Sequence, residues 1–202
     1  MDLESLLMQI VTDDIVHAKF LNTLSLQENI GARKISASES METTSCMVLK
    51  HAAEEHRHAF YLKKQIEKIG KELCPTYADQ YLVAPAYSKY YLNVLDVEVS
   101  RYLKKDLGLS GRELRFAAYL LVTYAIEVRA DELYPVYQEA LDNAGSKVNV
   151  KSIILEEEGH LEEMIAQLHK FSPDWQRHAD KAVEIETRLF NDWVVALGRE
   201  IN

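Results

Sequence analysis

The sequence predicts an all-helical protein, and three observations carry that reading. Proline and glycine are sparse, four and seven in 202 residues. Apolar residues recur at helical spacing along most of the chain. No stretch alternates apolar and polar residues as a half-buried strand would. With 48% apolar and 27% charged residues, the chain is expected to fold as one domain over 1–202 with a substantial core.

The elements follow in order. A short helix is predicted from Asp2 to Val11. Thr12 is placed to cap a long helix over 12–36, with Asp13 and Asp14 favourably set against the dipole of its first turn. Polar residues around Ser38 and Ser40 make a turn, and a second long helix runs over 41–69 with Gly70 just past its end. Pro75 and Pro85 mark a loop, and a helix is predicted from about Lys89 to Leu107, so that 71–110 forms a long crossover. After the Gly108-Leu109-Ser110-Gly111 break, Ser110 and Glu113 have capping-box spacing and open a third long helix over 111–142, with Pro135 expected to bend it. A turn at Asn143-Ala144-Gly145-Ser146 precedes a fourth over 147–171, and Ser172-Pro173 starts a last helix over 173–200. Two antiparallel pairs joined by a long crossover describe a four-helix bundle with extra helices.

Bulk properties exclude several classes. A net charge of −9 argues against nucleic acid, whose backbone needs a basic footprint. No apolar run reaches the roughly 20 residues that span a bilayer, and the first residues carry acid where a secretory signal carries base. A cytoplasmic protein is expected. Cys46 and Cys74 are too far apart for a CxxC motif, so neither a disulfide framework nor a built-in zinc or rubredoxin-type site is expected.

The chemistry lies in carboxylates set where the helical period calls for core. On the fourth long helix, Glu157 and His160 interrupt a stripe of Val150, Ile153, Ile154, Leu161, Met164, Ile165 and Leu168. On the second, Glu55 and His58 sit among Val48, Ala52, Ala59, Leu62, Ile66 and Ile69. Each pair is Glu-x-x-His, one turn apart on one face. The first and third helices offer Glu28, among Leu21, Leu24, Gly31 and Ile35, and Glu127, among Phe116, Leu120, Tyr124 and Tyr134. Glu28 precedes Glu55 by 27 residues and Glu127 precedes Glu157 by 30, so hairpins of similar length bring each pair to one depth. Buried, unpaired carboxylates cost several kcal/mol or take up protons, and facing one another they repel. Two divalent cations would neutralise four carboxylates, with two neutral imidazoles completing the shell.

A Glu from each of two helices and a Glu-x-x-His from each of two others resembles the site of ferritin-like di-metal carboxylate proteins. The chain most resembles their rubrerythrin-like branch, through Glu28-Asn29-Ile30-Gly31-Ala32-Arg33, Glu55-His56-Arg57-His58-Ala59, Leu133-Tyr134-Pro135 and Glu157-Glu158-Gly159-His160. The resemblance covers the four core helices, not the crossover or the last helix. It implies that Glu28 and His58 are terminal ligands to one metal, Glu127 and His160 to the other, with Glu55 and Glu157 bridging. Carboxylates with imidazole and open positions suit two iron ions, or manganese, or a mixed pair.

Two departures shape the expected function. Rubrerythrins carry a second glutamate one turn from that of the third helix, where this chain has Tyr124 and Ala130. It also lacks a rubredoxin-like cysteine cluster, so electrons would come from an external donor. The expectation is a di-metal oxidoreductase acting on dioxygen or peroxide, favouring oxidase or oxygenase action on a small organic substrate. The alternatives are rubrerythrin-like peroxide reduction and non-catalytic metal binding or iron handling. The oligomeric state stays open, a homodimer being common for such bundles. Nearby, His51 is either an extra ligand, a partner of one, or a surface residue; Asp131 either accepts from a ligand imidazole or makes a surface ion pair; Tyr124 is either a phenol beside the metals or a core residue. Glu156, Glu158, Glu162 and Glu163 read as solvated surface; the crossover tyrosines Tyr77, Tyr81, Tyr87, Tyr90, Tyr91 and Tyr102 read first as packing against the bundle, and otherwise as the wall of a substrate pocket or a dimer interface.

Overall fold

The computed structural model describes residues 2–39, 42 and 44–201. Among them there are seven α-helices and no strand: α1 (Leu3–Thr12), α2 (Asp14–Ser38), α3 (Cys46–Ile66), α4 (Pro85–Leu107), α5 (Gly111–Asn143), α6 (Lys151–Phe171) and α7 (Trp175–Ile201). No helix among the described residues is long and apolar enough to cross a membrane. The expected all-helical class holds.

Several local signals resolve differently from expectation. Asp13, not Thr12, caps α2: its carboxylate accepts the Ile15 and Val16 amides, while the Thr12 hydroxyl donates back to the carbonyls of Met8 and Gln9. The carboxylate is the stronger acceptor for exposed helix-start amides, which leaves the hydroxyl to close α1. Ser45 caps α3, which therefore starts later than position 41; the expected turn at Ser40 lies outside the described residues. That helix ends at Ile66, and a further turn brings the Gly70 amide onto the Ile66 carbonyl. Ser110 precedes α5 with extended backbone but makes no side-chain cap, so the expected capping box with Glu113 does not form. Its place is taken by conformation, with Gly108 and Gly111 at φ 66° and 56°, the left-handed region that glycine enters without a Cβ clash.

α6 begins at Lys151 rather than 147, because the Ser146 hydroxyl holds the Val148 amide and the Gln138 side chain holds that of Val150. In the crossover, Pro85 starts α4 at a helical first turn, where its missing N–H costs nothing. Inside α5, Pro135 leaves the helix running on to Asn143.

α2 packs along α3 and α5 along α6, while α4 and α7 lie against each other and against α5. The apolar core falls into two clusters. One joins α1, the start of α2, the end of α3, the second half of α5 and the end of α7, around Phe20, Leu62, Tyr137 and Trp193. The other joins Ile35, Ala52, Leu103, Leu121 and Met164 from the opposite halves of the same bundle. Between the two, at mid-depth, the buried side chains are charged.

Candidate metal centre

Four helices deliver the charged layer. Glu28 comes from α2, Glu55 and His58 from α3, Glu127 from α5, and Glu157 and His160 from α6. All six side chains converge. The ligating atoms of Glu28, Glu55, His58 and Glu157 lie within 4.8 Å of one another, and so do those of Glu55, Glu127, Glu157 and His160. The two groups share Glu55 and Glu157. Glu157 points one oxygen to each imidazole: Oε1 is 3.0 Å from His58 Nδ1 and Oε2 is 3.1 Å from His160 Nδ1. Five of the six are nearly inaccessible, with Glu55 the most exposed of them at 7%; Glu28 is half-buried.

This is an electrostatically demanding arrangement. Burial, and then the Glu28 charge, push the Glu55 carboxyl well above its usual range, and burial with Glu157 does the same to Glu127. Burial opposes ionisation of Glu157 too, but hydrogen bonds from Glu127, His160 and His58 hold it below the usual range. Burial opposes protonation of the imidazoles, yet the adjacent carboxylates prevail, Glu157 first for His58, lifted to about 9, and Glu127 first for His160, lifted to about 11. The donor set fits a pair of divalent cations. His58 Nδ1 is buried and faces the cluster, 3.0 Å from Glu157 Oε1, which is where a ligand lone pair would point.

The outer nitrogens of both imidazoles are engaged by two carboxylates that the sequence reading placed at the surface or left unassigned. His58 Nε2 donates to Glu156 at 2.7 Å, and His160 Nε2 donates to Glu54 at 2.8 Å. Arg57 bridges the two acceptors, 2.6 Å from Glu156 and 3.8 Å from Glu54. Each Glu precedes the cluster glutamate of its own helix by one residue and serves the histidine of the other helix. The arrangement is pseudo-symmetric. With Nε2 fixed as donor, Nδ1 of a neutral imidazole faces the cluster as an acceptor. Asp131 does not take this role and lies exposed. The legible signal was the repeated Glu-Glu-x-x-His, 54–58 and 156–160. Truncating Glu54 or Glu156 to alanine should weaken cation binding on the side of the histidine it holds by roughly tenfold to a hundredfold, read by competition with a chromophoric chelator.

The remaining candidates separate. His51 is buried but outside the ligand groups: its Nδ1 accepts from Tyr119 at 3.1 Å and its Nε2 donates to Glu163 at 2.8 Å. Glu163 is therefore a partner in the structure, like Glu156, rather than free surface; Lys50 pairs with it at 2.6 Å. Tyr124 does not stand beside the cluster; its ring meets Trp175 edge-on. The phenol at the cluster is Tyr134, which donates to Glu28. Phe116, expected on the same stripe as Glu127, is 44% exposed. Of the crossover tyrosines, Tyr91 donates to the buried Glu186, Tyr77 bonds Ser25, Tyr102 bonds His178, and Tyr87 and Tyr90 are exposed.

A cavity of about 330 Å³ opens on the carboxylates from the side of α2, α4 and α5, with Glu28, Glu55, Glu127 and Tyr134 in its wall. Ala130 also lines it. Compared with family models, with curated proteins and with solved structures, the chain matches none.

Proposed function

We propose that this chain is a ferritin-like di-metal carboxylate oxidoreductase, holding two iron ions, or manganese or a mixed pair, and using dioxygen to oxidise an organic substrate. The observation that carries the choice is the cavity. Peroxide reduction needs no more than a passage for a substrate of two oxygen atoms and two hydrogens, whereas a space of about 330 Å³ with largely apolar walls, ending on three of the four carboxylates, fits an organic molecule.

Glu28 and His58 would hold one cation and Glu127 and His160 the other, with Glu55 and Glu157 shared between them. Bound there, such a pair would supply redox electrons and Lewis acidity at the buried end of the cavity. The protein supplies the rest. Glu54 and Glu156 orient the imidazoles, Tyr134 holds a proton against Glu28 at the cavity wall, and the two apolar clusters above and below keep solvent out of the layer. Electrons for each turnover would arrive from an external donor.

The test is oxygen consumption by protein loaded anaerobically with ferrous iron and then mixed with air-saturated buffer. Uptake of dioxygen with a near-ultraviolet rise, as iron(II) becomes iron(III), at a rate well above that of free iron, is the expected result. Stable ferrous protein in air would overturn the assignment.

A further inference from the structure

The lining of the cavity is elongated, and it forms a slot along two helices. Its wall takes in α2 from Leu24 to Ser38 and α5 from Leu114 to Tyr134, stretches of about 20 Å and 30 Å at roughly 1.5 Å per residue. α2 and α5 run antiparallel here, since Tyr134 bonds Glu28 and the two stretches close on Leu24 at one end and Ser38 at the other. The inner end is buried at Leu24, Leu133 and Tyr134, and the outer end carries the exposed Ala37 and Arg115.

Charge is distributed unequally along it. Glu28, Glu55 and Glu127 stand toward the inner half, and Leu92, Ala118, Val122 and Ile126 make apolar wall. Three cations line the slot. Lys34 is held by Asp96 at 2.8 Å, and Arg129 by Glu186 at 2.9 Å and by Glu132. Arg115 has no carboxylate partner among the described residues. It sits twelve residues before Glu127 on the same helix, about 18 Å along the axis.

We infer that the slot binds a linear aliphatic carboxylate, its chain lying along the α2–α5 seam, its carboxylate on Arg115 and its far carbons beside Glu28, Glu55 and Glu127. An apolar wall that runs along two packed helices fits an unbranched chain lying along its length. A guanidinium presents a planar fork that matches a carboxylate, and among the described residues Arg115 at the mouth is free to offer it, whereas Lys34 and Arg129 are already paired. The orientation is thereby set: the acid end stays at the mouth and the apolar end enters. The inference rests on the proposed reading of the site only for what happens to those far carbons.

Calorimetric titration of metal-loaded protein with n-alkyl carboxylates from octanoate to hexadecanoate, kept below their micelle thresholds, and with n-alcohols of equal length, tests it. Affinity should grow with chain length, and each carboxylate should bind roughly tenfold tighter than its alcohol. Arg115→Gln should erase that tenfold difference and leave the alcohols unchanged. Ala118→Trp, which fills the slot at mid-length, should lose hexadecanoate binding; should that chain not fold, Arg115→Gln on the exposed mouth still decides. Equal affinity for acid and alcohol, no growth with length, or tighter binding of 2-naphthoate than of hexadecanoate would overturn the inference. Repeating the titration on chelator-treated protein separates the two readings. Chain binding by a protein whose ferrous form ignores dioxygen upholds the slot and removes the oxidoreductase; dioxygen uptake without chain binding does the opposite.

Discussion

Glu55→Ala and Glu157→Ala should each abolish binding of both cations together, whereas Glu28→Ala and Glu127→Ala should weaken one and leave the other. The reason is geometric. Glu55 and Glu157 belong to both ligand groups, while Glu28 with His58 and Glu127 with His160 belong to one each. Removing a shared carboxylate withdraws an oxygen from both positions and also leaves three negative charges to balance two divalent cations. Removing a terminal one leaves the opposite group whole. Elemental analysis and calorimetry with manganous ion give the stoichiometry directly. Loss of a single cation from Glu157→Ala would contradict the bridging assignment.

The same variants separate a metal site from a structural polar core. In the metal-free protein Glu55 and Glu127 are buried against like charge, so their carboxyls are a burden on the fold. Replacing buried ionisable clusters with apolar groups is often neutral or stabilising, by about 1 to 4 kcal/mol. Chelated Glu55→Ala should therefore melt no lower than chelated wild type, although the wild type gains far more on loading. A variant that melts well below wild type without metal would mean that Glu55 is there to build the fold.

How far the sequence carried this reading depends on the kind of signal. The six cluster residues could be read because a 3.6-residue period makes a charged side chain in an apolar stripe conspicuous. Glu54 and Glu156 left only the repeated Glu-Glu-x-x-His as a trace, since their positions border the exposed face and the partner each finds is a histidine on another helix. The α5 tyrosines show a related limit. Tyr124, one turn from Glu127, was the natural candidate, yet Tyr134, seven residues on, lies within about 20° of Glu127 around the axis and its long side chain reaches Glu28. His51 reads as surface until Tyr119 and Glu163 close over it from α5 and α6. The slot has no sequence signature at all: its wall includes the small residues Gly31 on α2 and Ala118 and Ala130 on α5, which the fold brings to one seam.

Loading the centre should acidify a weakly buffered solution and should tighten as pH rises. His58 and His160, with affinities for protons lifted to about 9 and about 11, and Glu55 and Glu127, pushed up by burial, hold protons near neutrality in the metal-free protein. A cation binds the deprotonated forms, so each proton displaced adds roughly a tenfold gain in affinity per pH unit. Stability follows with a definite sign. The histidines are raised above the unfolded value of 6.5, so their contribution to the metal-free fold is complete below that value and is lost as pH climbs through about 9 to 11. Glu55 and Glu127, raised above the unfolded 4.5, withdraw stability from the metal-free fold as pH rises past 4.5. Glu157, depressed below 4.5, loses its contribution as pH falls from 4.5 downward and does not change across this window. Rising pH therefore weakens the chelated protein while strengthening its grip on cations. At a thousandfold excess over the dissociation constant, loading is worth about 4 kcal/mol, or roughly 10 °C in Tm for a chain of this size. That gap between loaded and chelated protein should widen steadily from pH 6 to pH 8.5 in paired calorimetric scans. A gap that stays constant or narrows would mean that cations and protons do not compete for these carboxylates and imidazoles, and that the cations bind elsewhere.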